Sequence, residues 1–203
     1  MSGRLRVCVD MDDTMADTMG EHIARYNAQY GLNVRKADLT GKKLWEHVPK
    51  AHQPDLVRYM RSDDFFEDLD VLPGAPEVLE RLQEHYDIFI ATAAMEVPTS
   101  FTAKFRWLQR HFPFIHYRKY VYCGDKSILY ADYLIDDMPF YLDSFRGQGI
   151  LFSSPHNMKV KGYPRVGNWH EVEQYLLPDG KPREYEKKSA SGLKSLFSKN
   201  QRS

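Results

Sequence analysis

Cysteine is scarce: the 203-residue chain holds two, Cys8 and Cys123. Two thiols, one within an apolar run and one ending another, are too few for a disulfide framework or a cysteine zinc site. Buried thiols in a reduced, cytoplasmic compartment are the expectation. Excess charge of either sign is also absent, with Lys plus Arg and Asp plus Glu at 28 each. Nothing global therefore draws the chain to nucleic acid or to an anionic membrane, and any recognition of an anion must be local. No stretch approaches the roughly 18 uninterrupted apolar residues of a membrane span, and the opening MSGRLRVCVD does not read as a secretory signal. The eight histidines form no HxxxH or HExxH pattern, which argues against a zinc site. No internal repeat stands out. The rest is a soluble globular composition, 42% hydrophobic and 13% aromatic, with enough chain for one core and a small insertion.

Short apolar runs bounded by polar or turn residues occur at Leu5–Val9, Ile88–Ala91, Tyr120–Tyr122, Tyr133–Ile135 and Ile150–Phe152. Runs of this kind suit strands buried on both faces of a parallel sheet. Helical spacing appears between them. Met19, Ile23, Tyr26 and Tyr30 recur along Asp17–Tyr30, and Pro76 suits the first turn of a helix carrying Val78, Leu79 and Leu82. Phe101, Phe105, Leu108 and Phe112 form a stripe expected to face the core, with Thr99 or Ser100 as N-cap, and Trp169, Val172 and Leu176 mark a last helix. Alternating strands and helices predict an α/β fold, a three-layer α/β/α sandwich around a central parallel, Rossmann-like sheet. The stretch 34–70 breaks the rhythm with charge and aromatics and reads as a small helical cap inserted after the first strand and helix. The core domain is then 1–33 and 71–178. The polar, basic stretch 179–203 reads as a disordered tail.

Three carboxylates in DMDDT, residues 10–14, follow the first apolar run. Acids so close repel one another, and burying one unpaired costs several kcal/mol, so a solvated turn or a bound cation must account for them. Ligands of an open parallel sheet gather at the carboxyl ends of its strands. Asp10 and Asp12, Thr92, Lys126, and Asp136 with Asp137 all fall at or just beyond such ends. Mg²⁺ with oxygen ligands would neutralise these acids and would still accept a phosphate oxygen.

These residues resemble, in order, the motifs of the haloacid dehalogenase (HAD) superfamily of phosphohydrolases: DxDxT at Asp10, Asp12 and Thr14, a hydroxyl at Thr92, a lysine at Lys126, and the acid pair Asp136–Asp137. DFFEDLDVLPGA, KFRWLQRHF, GDKSILYADYLIDD, ILFSSPHN and NWHEVEQYL further resemble the 5'(3')-deoxyribonucleotidases, over roughly residues 5–177. The resemblance implies a HAD-like fold and Mg²⁺-dependent removal of phosphate from deoxyribonucleoside monophosphates. Asp10 would be the nucleophile that becomes an aspartyl phosphate. Asp12 would be the general acid and then base, with a pKa raised by Asp10 and by burial. Thr92 and Lys126 would hold phosphoryl oxygens. Asp10, the Asp12 carbonyl and Asp136 would bind the metal, and Asp137 would orient Lys126 or a metal-bound water.

Other residues stay open between two readings. Asp137 is also a candidate helix N-cap ahead of Pro139, and Asp13 is expected at the surface, in a slot where relatives often carry a small residue. Trp45, Phe65 and Phe66 are candidates to stack on a base or simply to pack the cap onto the core. Lys104 either reaches the phosphate or is a solvated helix lysine. Thr18 stands where some relatives place an aromatic near the base, and Ala93–Ala94 replaces a common Ser-Pro. Alternatives are therefore a HAD phosphatase of another small phosphomonoester, a non-catalytic nucleotide-binding regulator, or phosphoryl transfer to an alcohol. The substrate is expected to be a small molecule, with no nucleic-acid or membrane partner. The oligomeric state is open, a homodimer included.

Overall fold

The structure is a computed structural model that describes residues 3–183. The tail expected to be disordered lies, from 184 on, outside the described residues. Its beginning is held in place, since the Arg183 amide donates to Tyr86 Oη at 2.9 Å.

Strands Arg6–Val9 (β1), Asp87–Thr92 (β2), Tyr120–Tyr122 (β3), Tyr133–Asp136 (β4), Gln148–Phe152 (β5) and Arg165–Val166 (β6) form one sheet in the order β3-β2-β1-β4-β5-β6. Every pairing is parallel. The sequence runs locate the first five. The two residues of β6 are too short to leave a pattern. Because the strands are buried on both sides, they read as continuous apolar runs rather than alternating ones.

The helices are Thr18–Tyr30 (α1), Leu44–His47 (α2), Gln53–Met60 (α3), Ala75–Leu82 (α4), Phe101–His111 (α5), Pro139–Ser144 (α6) and Trp169–Leu176 (α7). The chain steps from β1 to β2 to β3 in one direction and from β4 to β5 in the other. Right-handed crossovers then require α4 and α5 on one face and α6 on the opposite one. The packing follows. Val7, Val9, Ile88 and Ile90 join α1, α4, α5 and α7 in one cluster, while Cys8, Ala91, Leu134 and Leu151 join Tyr141, Leu142 and Phe145 of α6 in another. On the first face a two-pronged ion pair ties α4 to α7, with Arg81 Nε and Nη2 at 2.5 and 2.9 Å from the Glu173 carboxylate.

The segment 34–70 contains no strand. It is built of α2, α3 and turns of 3₁₀ helix at Lys36–Leu39 and Lys50–His52. Leu39, Leu44, Val48, Leu56 and Tyr59 from it bury in the same cluster as the first face of the sheet. His52 stacks on Tyr30 at 3.8 Å between ring centres and shares a 2.8 Å hydrogen bond with Tyr26, so the segment is fastened to α1 by rings as well as by apolar contact.

The expected stripe holds at Leu108 and Phe112, which are fully buried, and needs correction over Phe101 and Phe105. The buried side of α5 is Ala103, Lys104, Trp107 and Leu108, and Phe105 is 39% exposed. Phe101 instead stacks on Tyr122, and Phe105 meets Tyr120 edge-on, so these two rings cover the edge strand β3. The rotation places Lys104 inward, which an apolar periodicity does not anticipate. Ser100 occupies the N-cap position without making a side-chain cap bond.

Among the described residues no helix is long and apolar enough to cross a membrane. Both cysteines are buried and free, and burial pushes the Cys8 thiol up to about 12 and moves Cys123 in the same direction. Iodoacetamide at about pH 8 should therefore label neither thiol in the folded protein and both after denaturation. Mass spectrometry reads this directly, and rapid labelling of the native protein would contradict the packing around β1 and β3.

Candidate active site

In this strand order the chain leaves β1 on one side for β2 and returns on the other for β4, so a crevice opens at the carboxyl ends of β1 and β4. Asp10 and Asp12 emerge there from β1, Thr92 from β2, and Asp136 and Asp137 from β4. Lys126 arrives on a 3₁₀ turn, Lys126–Ile128, beyond β3, and Lys104 comes from α5.

The loop after Asp10 is pinned from several directions. Asp13 takes φ +51°, its amide donates to the Ala16 carbonyl at 2.8 Å, and its Oδ1 accepts from the Met19 amide at 2.7 Å. Asp17 Oδ1 accepts from the Gly20 amide at 2.8 Å, so two acids serve the unpaired N–H groups opening α1. Asp13 is therefore no free surface acid. Burial pushes its carboxyl up to about 7, helped by Asp12 and Asp17. Trp169 Nε1 donates to the Thr14 carbonyl at 2.9 Å, fixing the same loop from α7.

The two lysines divide the acids between them. Lys126 is wholly buried, with Nζ 2.6 Å from Asp10 Oδ1 and 2.6 Å from Asp136 Oδ2, beneath the ring of Tyr141 at 4.7 Å. Against burial, those carboxylates raise its affinity for its proton. Lys104 is 3% exposed, which removes the solvated reading. Its Nζ forms a short ion pair with Asp12 Oδ2 and donates to Thr92 Oγ1 at 2.9 Å. Thr18 Oγ1 donates to Asp12 Oδ1 at 2.8 Å.

These contacts reverse one expectation. Burial would raise the Asp12 pKa, but Lys104, by charge and hydrogen bond, and Thr18 together hold it below the ordinary carboxylate value. Asp10 is the raised one, to about 7, because burial and the charges of Asp136 and Asp12 outweigh Lys126. Asp137 is not a helix cap. Met138 holds the N-cap position of α6, and its amide donates to Asp136 Oδ1 at 2.8 Å. Asp137 is buried with a pKa well above normal, from desolvation and the nearby Asp13, Asp136 and Asp10, and its side chain lies 3.5 Å from His156 Nε2. No hydrogen bond joins it to Lys126 among the described residues.

A cleft of about 420 Å³ opens over this cluster, bordered by Asp10, Asp12 and Lys104 and by Trp45, Phe66 and His22 among others. Phe66 lies under Lys104, with Nζ 4.7 Å from the ring centre. Phe65 does not border the cleft. It is packed between His22, at 4.8 Å, and the Arg25 guanidinium, at 5.1 Å. His22, Glu96, Phe140 and Tyr141 border it without having been singled out in the sequence. His22 had one available signal, since it lies four residues after Thr18 on one helix face.

Asp10, Asp136 and Asp137 offer carboxylate oxygens all within 4.8 Å of one another. All three are buried, and the one ammonium among them, Lys126, reaches only two. An all-oxygen donor set with uncompensated negative charge fits a small hard cation such as Mg²⁺. The Asp12 side chain is turned away to Lys104 and Thr18, leaving its backbone carbonyl as the group expected at a metal.

Residues 4–180 match the family described as 5' nucleotidase, deoxy (pyrimidine), cytosolic type C protein. A Bacillus subtilis protein named 5'(3')-deoxyribonucleotidase is 34% identical over 84% of this chain and 98% of its own length. A Staphylococcus epidermidis protein, provisionally named a 5'(3')-deoxyribonucleotidase, is 44% identical over 85% of this chain and 96% of its own. Among solved structures, a haloacid dehalogenase-like family hydrolase from Streptococcus pneumoniae superimposes with a TM-score of 0.55 at 16% identity, covering 86% of this chain and 99% of that one. A HAD-hydrolase from Bacillus subtilis bound to magnesium gives 0.55 at 13% identity, covering 85% and 98%. At such identities the likeness establishes the fold.

Replacing Lys126 by Met leaves Asp10 and Asp136 buried without a counter-charge, and should cost about 3–5 kcal/mol of stability near neutral pH. The sign of its pH dependence follows from the carboxylates. Their folded pKa values lie above the unfolded ones, so the destabilisation grows as pH rises through them and shrinks in acid. Urea unfolding of both proteins at mildly acidic and mildly alkaline pH tests this, and a small or pH-independent loss would contradict it.

Proposed function

The chain belongs to the 5' nucleotidase, deoxy (pyrimidine), cytosolic type C protein family, and from that premise we propose that it is a Mg²⁺-dependent 5'(3')-deoxyribonucleotidase. The observation that carries the reading is the convergence of Asp10, Asp12, Thr92, Lys104, Lys126 and Asp136 at one end of the sheet, beside a cleft. Asp10, the Asp12 carbonyl and Asp136, with Asp137 close by, would hold the Mg²⁺, which supplies charge compensation between nucleophile and phosphate.

In the proposed reaction an Asp10 oxygen attacks phosphorus in line, the bond to the sugar oxygen breaks, and Asp12 delivers a proton to that oxygen. The aspartyl phosphate is then cleaved by water, whose proton Asp12 accepts. Asp12 must start protonated, and in the resting cleft Lys104 opposes this. An arriving phosphate offers Lys104 Nζ other oxygens. With Lys104 drawn off, burial dominates and the Asp12 pKa climbs. Lys104 thus both receives the phosphate and couples its arrival to protonation of the acid. Thr92 shares the phosphoryl oxygens, while Lys126 holds Asp10 in line and limits the charge of the acid cluster.

Segment 34–70, with Trp45 and Phe66, serves as the cap over the organic part of the substrate. The reading includes a cytoplasmic location, in keeping with the cytosolic type in the family's description, and a small-molecule substrate, in keeping with the balanced charge.

Phosphate release should be measured from dUMP, dTMP, dGMP, UMP, pyridoxal phosphate and sugar phosphates, with Mg²⁺ and with EDTA. The expected result is Mg²⁺-dependent release that favours deoxynucleotides and is lost in Asp10→Asn. Turnover confined to other phosphomonoesters would overturn the substrate, and bound nucleotide without turnover would overturn the enzyme. Lys104→Met should lower kcat/KM for the best substrate by roughly 100-fold or more, the scale of losing one charge-stabilising donor. An unchanged value would remove Lys104 from the mechanism.

A further inference from the structure

Several polar groups border the cleft without a part in the proposed chemistry, Lys43, Glu96 and His22 among them, and His22 is the one whose hydrogen bonding fixes what it can offer a ligand. His22 lies in the second turn of α1 and borders the cleft. Its Nε2 stands 3.0 Å from the Leu56 carbonyl oxygen of α3. A carbonyl only accepts, so Nε2 carries the hydrogen and Nδ1 presents a bare lone pair. Burial lowers the His22 pKa below its ordinary value, so the ring is neutral around pH 7 and this tautomer persists.

The ring is held rigidly. Phe65 packs against it at 4.8 Å and Tyr59 at 6.5 Å, both tilted by nearly 60° (57° and 59°). Nδ1 meets no hydrogen-bond donor among the described residues. An acceptor oriented by its neighbours and left unpaired beside a cleft is pre-organised to take a donor from a ligand.

Its height in the cleft narrows the donor. Thr18, one turn earlier on the same helix face, bonds Asp12 at the reacting end. Four residues of helix place His22 about 6 Å farther along the axis than Thr18, and so beyond the residue that contacts Asp12. Trp45 and Phe66 supply aromatic border to the same cleft, and Lys104 already answers the Asp12 carboxylate in it.

We propose that His22 is a specificity-determining residue whose Nδ1 accepts a hydrogen bond from a ring N–H of the substrate's base. This rests on the nucleotidase reading above. A base with a ring N–H beside a carbonyl pairs with this acceptor, whereas a bare ring nitrogen at the same place sets lone pair against lone pair.

The test compares kcat/KM for dUMP and for dCMP, whose ring nitrogen at the same place is bare. The wild-type enzyme should favour dUMP about tenfold, the scale of one hydrogen bond. Two variants separate the two ring nitrogens. His22→Gln sets a polar group where Nε2 was, able to keep the Leu56 contact, and should bring the ratio close to one. His22→Asn sets a side-chain oxygen near Nδ1 and should retain most of the preference. His22→Phe, with folding checked by thermal melting, should behave like His22→Gln. A wild-type ratio near one, or a full ratio in His22→Gln, overturns the assignment while brisk dUMP hydrolysis leaves the nucleotidase reading intact. Failure to hydrolyse dUMP alongside turnover of a different phosphomonoester overturns that reading and this inference together.

Discussion

Lys126, with no exposure to water, sits between Asp10 and Asp136 at the carboxyl end of the sheet, and this contact makes the rest of the site possible. Five acids, Asp10, Asp12, Asp13, Asp136 and Asp137, crowd one crevice, against two inward lysines. Removing carboxylates from water is costly, and their mutual repulsion adds to the cost. The fold tolerates them because most of these acids are given a particular partner. Lys126 joins β1 to β4 from below, Lys104 restrains Asp12 from α5, and the opening amides of α1 and α6 take Asp13, Asp17 and Asp136. What stays uncompensated lies around Asp137, where burial and neighbouring acids keep the pKa high. That remainder is the electrostatic reason a divalent cation suits the place.

The same arrangement divides the cleft into two chemistries. One end is charged, hydrogen-bonded and fixed by buried scaffolding, including the two indoles that donate to backbone carbonyls, Trp169 to Thr14 and Trp107 to Leu69. Around it the border carries aromatic rings and a neutral imidazole, Trp45, Phe66 and His22, together with Lys43 and Glu96. A ligand with a compact anion at one end and a flat heterocycle at the other matches both halves. Lys104 stands at the boundary, its Nζ on Asp12 and over the ring of Phe66. In the proposed reaction, contact with the anion and protonation of Asp12 are coupled through this single side chain.

Much of this was legible in the chain because the signals are local or are ordered along it. Five strands show as apolar runs, since strands covered on both sides need no alternation. The acids at Asp10, Asp12, Asp136 and Asp137, with Thr92 and Lys126, declare themselves by falling at or just beyond the ends of those runs. Helices α1, α4 and α7 follow from spacing and from Pro76. The rotation of α5 was not legible. Its phenylalanines mimic a core stripe, and only the tertiary pull of Asp12 and Thr92 on Lys104 shows which side turns inward.

Sequence by itself determined the layered α/β plan, the family and the set of acids, because periodicity and motif order are properties of the chain. Only tertiary structure decided which acid is held ionised. The Asp12 carboxyl was expected to be the raised one, yet Lys104 from ninety-two residues away draws it down while burial raises Asp10. Tertiary structure likewise decided that Phe66 borders the cleft and Phe65 does not, that Asp13 closes a loop, and that His22 commits Nε2 to the Leu56 carbonyl. The physical reason is common to all four. A pKa, a ring's facing side and an unpaired lone pair depend on distances between residues far apart in the chain, and those distances exist only once the chain has folded.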